Sequence, residues 1–511
     1  MTFTRMVLDT FFSLDLEANA RILLGITIST ALIYRVVLIV YRLFFSPLAK
    51  FPGPKLAACT DLPNLYWLVT GKHHLKIKEL HDQYGDVVRV SPTTLVYRSA
   101  QAWKDIYGHR KAGQQSFLKD PATYIVGPTG PSIINSNEAD HARERRLLSH
   151  AFSEKALRDQ ESLVHSYVDL LVDRLEEQID NSRATVDMVS WYNFTTFDII
   201  GDLAFGEPFG CLRDSQYHPW VKMVFASAKV NVQLRPGKMY PILAPVLRKL
   251  IISGEGAKMR DNHFALSSEK VRRRLQTKTD RPDFMTHVLR VTDERAMTPR
   301  EMESNAALLI LAGSETTATL LSGFTYFVLM NPAVQKKVVT EVRDAFKSYD
   351  EINFQSVAQL PYLNATLEES LRMYPPVADV TPRVVPKGGA VVDGHHIPEG
   401  TVVSGHFFST FHAESNFTEP ESFMPERWLE KRAPRFENDK RLAFNPFSLG
   451  PRNCLGKNLA YAEMRLITAK ILWKLDMTLE AEVGSWQNQE TYNLWQKKPL
   501  MVKLARAQRS T

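Results

Sequence analysis

The longest apolar stretch of the chain lies near its N-terminus, where residues 22–45 read ILLGITISTALIYRVVLIVYRLFF. About 20 apolar residues are enough for a helix to cross a bilayer, and residues 22–41 reach that length with Arg35 as their one charge. Because Arg35 lies late in the stretch, its guanidinium can extend to the nearer interface. Arg42, Lys50 and Lys55 follow. A basic flank stays cytosolic, so the pattern predicts a single-pass anchor with the body of the chain in the cytosol.

The alternative interpretation of this stretch is a cleaved signal peptide. The apolar region is long for that purpose, it starts late, and no A-x-A-like site precedes Phe51. We therefore predict a retained anchor. The expected organisation is a short lumenal segment over residues 1–21, an anchor over 22–45 and one domain over 46–511.

Helical periodicity dominates the rest of the chain. Short alternating segments typical of strands occur only at residues 87–90, 94–97, around 381–397 and at 500–504. No repeat or long linker interrupts the body. The pattern predicts a mainly α fold with small β-sheets in a single unit.

One long helix is delimited by clear signals. Thr298-Pro299-Arg300-Glu301 forms a capping box with proline at the first helical position, and Asn331-Pro332 ends the apolar run. About 32 residues give a helix of roughly 48 Å. Its middle, residues 312–317 (AGSETT), is weak for a helix because glycine there costs up to about 1 kcal/mol relative to alanine. Two explanations of this segment stay open: the glycine packs against another helix, or the segment forms a groove for a flat ligand.

Composition narrows the class of protein. The hydrophobic share of 44% and the charged share of 23% are those of a globular chain. A net charge of +7 suits an anionic membrane surface or an acidic protein partner and does not indicate nucleic acid. No G-x-G-x-x-G or Walker A segment is present, so electrons for redox chemistry must come from another protein.

The three cysteines, Cys59, Cys211 and Cys454, argue against a disulfide framework and against a structural zinc site. Cys454 lies in the segment FSLGPRNCLGKNLA (447–460), just before a helical pattern that runs to about residue 473. Amide donors and the dipole at a helix N-terminus favour a thiolate. Gly450 and Gly456 leave room for a flat macrocycle, and Arg452 offers a fork suited to a carboxylate.

This segment resembles the cytochrome P-450 superfamily signature F-x-x-G-x-R-x-C-x-G at every defined position, beginning at Phe447. The resemblance implies a cytochrome P-450 fold and haem b, with Cys454 as the thiolate ligand of the iron. It further implies that Phe447, Gly450, Arg452 and Gly456 contact the cofactor. Further matches follow in the family's order along the chain.

Two of those matches are helical. Glu369 and Arg372 resemble the family's E-x-x-R motif and, with Arg427 of Pro425-Glu426-Arg427-Trp428, imply a buried structural network that holds the thiolate loop. Glu315 and Thr316 match the A-G-x-[DE]-T-[TS] pattern. The resemblance assigns them as the acid–alcohol pair on a proton route to the oxygen-binding site.

Three more residues resemble partners of the haem propionates. His141 and Arg145 occupy the place of the family's W-x-x-x-R helix motif, with histidine in place of tryptophan and a ring N–H donor kept. Arg383 follows in the first strand after the Arg372 helix.

The resemblance implies a monooxygenase that oxidises a hydrophobic small molecule with O2 and electrons from NADPH. A separate flavoprotein reductase would deliver the electrons, with a b-type cytochrome as a further candidate partner and Arg452 and Lys457 as candidate docking residues. Residues 140–153 and 197–210 resemble the branch of fungal secondary metabolism. The expected location is the endoplasmic reticulum membrane, so the N-x-[ST] sequons at Asn193, Asn364 and Asn416 would go unused.

The predicted pocket lining comprises residues 111–132, 221–247, 306–317 and 377–380. It is mostly apolar and suits a terpenoid, polyketide or alkaloid scaffold equally well. Two alternatives stay open: a haem-thiolate isomerase or dehydratase that needs no external electrons, and a silent membrane protein that binds a hydrophobic ligand.

Overall fold

A computed structural model describes residues 2–111, 113–277, 281, 283–291, 293–480 and 484–508, and side chains from residue 18 onward. Most of these residues are helical, as the periodicity predicts. The helices are α1 (Thr2–Val40), α2 (Lys55–Cys59), α3 (Leu62–Val69), α4 (His73–Tyr84), α5 (Ala100–Tyr107), α6 (Glu138–Ser149), α7 (Glu154–Asp180), α8 (Met188–Phe205), α9 (Cys211–Asp214), α10 (Pro219–Gln233), α11 (Arg235–Met239), α12 (Ala244–Ile251), α13 (Gly254–Gln276), α14 (Phe284–Leu289), α15 (Pro299–Met330), α16 (Pro332–Ala345), α17 (Phe354–Val357), α18 (Pro361–Met373), α19 (Phe407–Phe411) and α20 (Lys457–Lys474).

The strands are short and form small sheets. They are β1 (Val87–Ser91), β2 (Thr94–Tyr97), β3 (Leu118–Lys119), β4 (Thr185–Asp187), β5 (Arg383–Val384), β6 (Ala390–Val392), β7 (His395–Ile397), β8 (Val402–Gly405), β9 (Leu475–Leu479), β10 (Thr491–Tyr492), β11 (Leu494–Trp495) and β12 (Met501–Arg506). The largest sheet has the order β1-β2-β8-β5-β3, and β4-β12-β9 form a second. Within the largest sheet only β2 and β8 run parallel. The mainly α fold with small sheets is therefore confirmed.

Helix α15 has the bounds that its end signals predict. The Thr298 side chain accepts the Glu301 amide, the Glu301 carboxylate accepts the Thr298 amide, and the helix ends before Asn331. Its central glycine packs against α8: a methyl group on Gly313 would overlap the Ile200 side chain. Gly313 also lines the cavity beside Cys454, so this weak segment both packs on α8 and borders a cavity.

The main core surrounds α15 and places the C-terminal helix beside it. Helix α20 packs on α7 and α15, and its N-terminus follows the Cys454 loop directly. This packing holds the loop against the middle of α15. The candidate site therefore lies between two buried helices.

The N-terminal apolar stretch is helical and makes little contact with the body. Helix α1 continues into one π-helical turn, Tyr41–Phe45. The segment Ala18–Phe45 is long and apolar enough to span a bilayer, and no residue of its most apolar 18-residue stretch is buried in the protein. Helix α15, with 32 residues, is also long and apolar enough, but 67% of its most apolar stretch is buried in the core. Since α1 begins at Thr2, the segment expected to be a separate N-terminal stretch (residues 1–21) is part of the same helix over its described residues.

Candidate functional site

The Cys454 loop is held by its own backbone. The Cys454 amide donates to the Phe447 carbonyl at 2.8 Å, and residues Gly450–Arg452 form a 3-10 turn. The turn ends two residues before Cys454, and α20 starts at Lys457. The Cys454 side chain is exposed to the adjoining cavity.

Gly450 does not line that cavity. Its φ is +69°, and a methyl group there would overlap the Tyr107 carbonyl of α5. Gly450 was expected to leave room for the macrocycle, and its close approach to α5 is instead the reason that glycine is needed here. Gly456 does line the cavity.

The cavity beside Cys454 has a volume of about 240 Å³. Apolar side chains from α15, α20 and the segment before α6 form most of its wall. The remaining lining residues carry nitrogen, oxygen or sulfur and are Lys119, His141, Arg145, Thr316, Thr317, Arg452, Asn453, Cys454 and Glu463.

Three basic residues, Lys119, Arg145 and Arg452, line this cavity, and a fourth, Arg383, lines a smaller cavity that also contains Arg452. Arg145 donates to the Asn453 carbonyl at 2.8 Å, and Arg452 donates to Glu138 Oε1 at 2.8 Å and to the Ser136 carbonyl at 2.9 Å. Arg383 lies opposite Lys119 in the β3–β5 pair. The Nη1 atoms of Arg383 and Arg452 are buried and have no partner. Buried N–H donors without an acceptor in the protein call for an acceptor from outside the chain.

His141 lies among these cations. Burial, followed by the charges of Arg452 and Arg145, lowers the pKa of His141 to about 3. The imidazole is therefore neutral at physiological pH and keeps one ring N–H as a donor. Lys119 lies in the same positively charged environment. Burial, and then the charge of Arg383, hold its pKa well below the ordinary value.

These features fit a haem. One end of the cavity offers a thiol, the walls are apolar, and the other end offers guanidinium donors that lack partners. A flat apolar macrocycle with two carboxylates satisfies each of these groups. Cys454 would hold the iron, and Arg145, Arg383, Arg452 and His141 would hold the propionates.

The thiol itself is not acidic in the protein alone. Burial raises the pKa of Cys454, while the Gly456 amide, Arg145 and Lys457 oppose the shift. The helix N-terminus was expected to favour the thiolate, but burial outweighs it here. A metal cation bound at the sulfur would supply the missing positive charge.

Glu369, Arg372 and Arg427 lie together in the core. Arg372 Nε donates to Glu369 Oε2 at 2.9 Å, and Arg427 Nε donates to Glu369 Oε1 at 3.1 Å. Asp439 and Trp428 complete the cluster, and the Trp428 indole donates to Glu369 Oε2 at 2.8 Å. All three charged side chains of the predicted network are fully buried.

The structure separates the two residues of the predicted acid–alcohol pair. Thr316 lines the Cys454 cavity and donates to the Ala312 carbonyl at 2.6 Å. Glu315 instead faces a second, polar cavity and forms a buried ion pair with Lys497, with Thr319 donating to its Oε1 at 3.2 Å. Burial raises the pKa of Glu315, and the Lys497 ammonium opposes the shift. Adjacent helix positions point about 100° apart, and the lysine attracts the carboxylate to its own side.

A second carboxyl group lines the Cys454 cavity. Glu463 of α20 is only 3% exposed, and burial raises its pKa to about 8, with the Thr317 hydroxyl opposing the shift. It is therefore mostly protonated at neutral pH and can donate a hydrogen bond inside the cavity.

Replacing Glu463 with glutamine tests this protonation state. In the wild type, folding keeps the proton that the unfolded chain releases near pH 4.5, so stability falls as the pH rises through 8. The Gln variant lacks this loss, so its melting temperature should rise relative to wild type between pH 5 and 8. The expected slope is about 1.4 kcal/mol per pH unit at most. Glu437→Gln, at an exposed position, is the control and should give a pH-independent difference.

Three functional candidates escaped the sequence analysis: Lys119, Glu463 and Lys497. Glu463 left a visible signal, because it interrupts the buried i, i+4 row formed by Leu459 and Ile467. Lys119 lies in a two-residue strand and left none. Lys497 meets Glu315 across 182 positions of the chain.

The comparisons with known proteins agree with this geometry. A family model described as Cytochrome P450 matches residues 54–504. The chain is 50% identical over 467 residues to cytochrome P450 monooxygenase astJ of Aspergillus oryzae, which covers 91% of this chain and 93% of that protein.

Two further relatives match over nearly full length. Cytochrome P450 monooxygenase astA of Talaromyces wortmannii is 46% identical, covering 96% of this chain and 98% of its own. A trichothecene C-15 hydroxylase of Fusarium sporotrichioides is 44% identical, covering 94% and 98%.

Proposed function

The chain belongs to the cytochrome P450 family and is a P450 monooxygenase, and from this premise we propose that it oxidises a hydrophobic intermediate of secondary metabolism with electrons from NADPH delivered by a separate reductase. The observation that carries the proposal is the Cys454 cavity together with two buried Nη1 atoms that have no acceptor, one on Arg452, which lines the cavity, and one on Arg383 in the adjoining smaller cavity. The names of the fungal relatives support the pathway class.

Bound haem supplies the activation of O2, with one oxygen atom passing to the substrate and the other leaving as water. The residues of the chain have supporting roles in this proposal. Cys454 holds the iron, and the Arg145, Arg383 and Arg452 guanidinium groups orient the macrocycle through its carboxylates. The apolar wall excludes water from the substrate side. Thr316 holds a hydroxyl at the cavity surface, where it can pass a proton inward.

A reconstitution experiment tests the electron route. The purified full-length protein in phospholipid vesicles is mixed with NADPH and a purified flavoprotein reductase, and O2 consumption is followed with and without the reductase. We expect consumption only when the reductase is present. Turnover without any reductase would contradict the proposal and favour the isomerase or dehydratase alternative, and purified protein without haem would favour the silent binding protein.

Docking of the reductase must use surface residues near the loop. Arg452 was a candidate, but its side chain is 8% exposed and is bonded to Glu138 and Ser136. Lys457, five residues further along the chain at the start of α20, is exposed. We therefore keep Lys457 for this role and assign Arg452 to the cofactor.

Replacing Thr316 with alanine should uncouple the reaction. The variant keeps the cavity and the thiol, so we expect normal haem content with a several-fold larger share of NADPH electrons recovered as hydrogen peroxide. The measurement is the ratio of peroxide formed to NADPH consumed. Ser322→Ala is the matched control, because this hydroxyl lies on the same helix, donates to the Ala318 carbonyl at 2.7 Å and is outside the cavity lining. Tight coupling in the Thr316 variant would remove this residue from the proton route.

We also propose that α1 anchors the protein in the endoplasmic reticulum membrane with the body in the cytosol. Exposed apolar side chains occur near the anchor on α2, α3 and α12 and the turn before α12, namely Leu56, Leu62, Tyr66, Ile242, Val246 and Leu250. Tyr240 directly precedes the turn before α12. Burial and the Asp61 carboxylate raise the pKa of Tyr240, because this turn lies beside the segment that follows the anchor. Such an apolar face suits contact with the bilayer surface.

The sequons support the same orientation. Asn193 and Asn416 are buried, and the Asn364 amide donates to the Ala358 and Leu360 carbonyls. Protease added to intact microsomes should digest the body of the chain, and all three asparagines should lack glycan. Protection of the body would place it in the lumen and contradict this topology.

A further inference from the structure

Glu463 lies on the face of α20 that lines the Cys454 cavity. The lining residues of this helix and its N-cap fall at i, i+3, i+4 and i+7, which places them on one side of the helix: Gly456, Leu459, Ala460 and Glu463. This row begins two residues after Cys454. The Glu463 carboxyl group is therefore part of the cavity wall, on the helix that follows the thiol loop.

The facing wall of the cavity comes from α15, and its last lining residues are Thr316 and Thr317. The Thr317 hydroxyl is hydrogen-bonded to the Glu463 carboxyl, so the two rows of lining residues meet at this point. Glu315 faces the second, polar cavity and pairs with Lys497. Among the described residues that line the Cys454 cavity, Glu463 alone is acidic. It is therefore the carboxyl group that shares a cavity with Thr316.

Glu463 also differs from the other buried glutamates. Five glutamates are buried in the part of the chain that the structure describes: Glu144, Glu303, Glu315, Glu369 and Glu463. Glu303, Glu315 and Glu369 each pair with a cation, and Glu144 accepts from the Asn305 amide at 3.1 Å. None of these four lines the Cys454 cavity. A role in pairing or packing explains each of them, and Glu463 needs another explanation.

An acid at this position is not required by the packing of α20. Leu459 and Ile467, one turn before and one turn after it on the same row, are apolar, so an apolar side chain would suit the row. Burial raises the pKa of Glu463 to about 8, with the Thr317 hydroxyl opposing the shift and no charged group contributing to it. An acid whose pKa lies near the operating pH can both give up a proton and recover it.

We propose that Glu463 supplies the proton that Thr316 passes inward: the carboxyl group gives its proton through the shared cavity to the Thr316 hydroxyl, as that hydroxyl gives its own proton to the oxygen-binding side. The inference rests on the proposed monooxygenase function, since reduction of one oxygen atom to water consumes protons. Glu463 is then a carboxylate, to which the Thr317 hydroxyl donates. It takes a proton back from water before the next turnover.

Infrared spectroscopy of the reduced carbon monoxide complex tests the position of this proton without turnover. The haem-loaded full-length enzyme is frozen, the carbon monoxide is released by light, and difference spectra are recorded in H2O and in D2O. We expect the C=O stretch of a protonated carboxyl group to shift on illumination, because carbon monoxide and Glu463 share one cavity. The band should move to lower frequency in D2O. A wild-type spectrum without this band would overturn the proposal.

Glutamine variants assign the band. Glu463→Gln should remove it, because glutamine has nearly the same shape and no acidic proton. Glu368→Gln is the matched control and should keep the band: burial raises the pKa of Glu368, which accepts from Tyr461 of α20 at 2.7 Å and lies outside the cavity lining. A band that survives in Glu463→Gln, or disappears in the control, would contradict the assignment.

The share of NADPH electrons recovered as hydrogen peroxide tests what the proton does. Glu463→Gln should raise this share several-fold, and Glu463→Asp should raise it less because an acid remains. Adding Thr316→Ala to Glu463→Gln should raise it no further than the larger single effect, since both changes interrupt one route. The Glu368→Gln control should stay tightly coupled. Effects that add in the double variant would overturn the proposal, as would uncoupling in Glu315→Gln with tight coupling in Glu463→Gln.

The two experiments separate this inference from the proposed function. The infrared band requires haem and carbon monoxide but no reductase, so failure of the electron route would be recognised by absent NADPH-dependent O2 consumption in an enzyme that still shows the band. Active wild-type enzyme without the band would refute the role of Glu463 and leave the monooxygenase function intact.

Discussion

Replacing Cys454 with alanine should abolish both catalysis and the thiolate-type spectrum of the reduced carbon monoxide complex. Among the described residues that line the cavity, Cys454 alone carries sulfur, so the variant has no second thiolate to take over as the iron ligand. A thiolate ligand directs electron density to the iron, and imidazole or water does not replace that effect. We expect the residual monooxygenase rate to lie below detection.

The other two cysteines provide the control. Cys59 lies in α2 and Cys211 in α9, both outside the cavity lining, and burial raises the pKa of Cys211 far above its ordinary range. Cys59→Ala and Cys211→Ala should both keep the spectrum. A thiolate-type spectrum in Cys454→Ala, or its loss in either control, would refute the assignment of the iron ligand.

Replacing Glu369 with alanine should destabilise the fold by about 3–5 kcal/mol, because it leaves two buried guanidinium groups without their shared carboxylate. Arg372 and Arg427 would then keep mainly backbone carbonyls and Asp439 as acceptors. Although burial raises the pKa of Glu369, Arg372 and Arg427 lower it overall, so the carboxylate is charged in the folded state. Its contribution is present above the ordinary glutamate pKa and is lost as the pH falls below it.

The measurement is chemical denaturation together with haem content per chain. Glu79→Ala is a matched control, since Glu79 accepts from Lys76 at 2.6 Å in an exposed i, i+3 pair. Such pairs contribute about 0–1 kcal/mol. If the two variants lose similar stability, the buried cluster is not what holds this part of the fold. A folded Glu369 variant with low haem content would agree with its proposed role in supporting the thiolate loop.

The sequence predicts well what is encoded by contiguous residues. The Thr298 capping box and Asn331-Pro332 set the ends of α15, and both act within one turn of helix. The loop from Phe447 to Gly456 is likewise a continuous segment, so its residue types are legible without a structure. The same is true of β1 and β2, whose alternating side chains are close in sequence.

Contacts between distant segments could not be predicted in this way. Lys119 is brought to the cavity by pairing with Arg383, and a two-residue strand has no periodicity to detect. Glu315 turns to Lys497 because the C-terminal segment packs beside α15. These are properties of tertiary packing and are absent from any local pattern.

The position of Glu315 has a consequence for how variants of this enzyme should be interpreted. Helix α15 separates Lys497 from Cys454, so its two faces contact different neighbours. Glu315 on one face lies beside Lys497, and Thr316 on the other lines the Cys454 cavity. A substitution of Lys497 in the C-terminal tail would therefore leave a buried carboxylate at the centre of the helix without its counter-ion. The loss would act on the middle of α15, although Lys497 lies outside the lining of the Cys454 cavity.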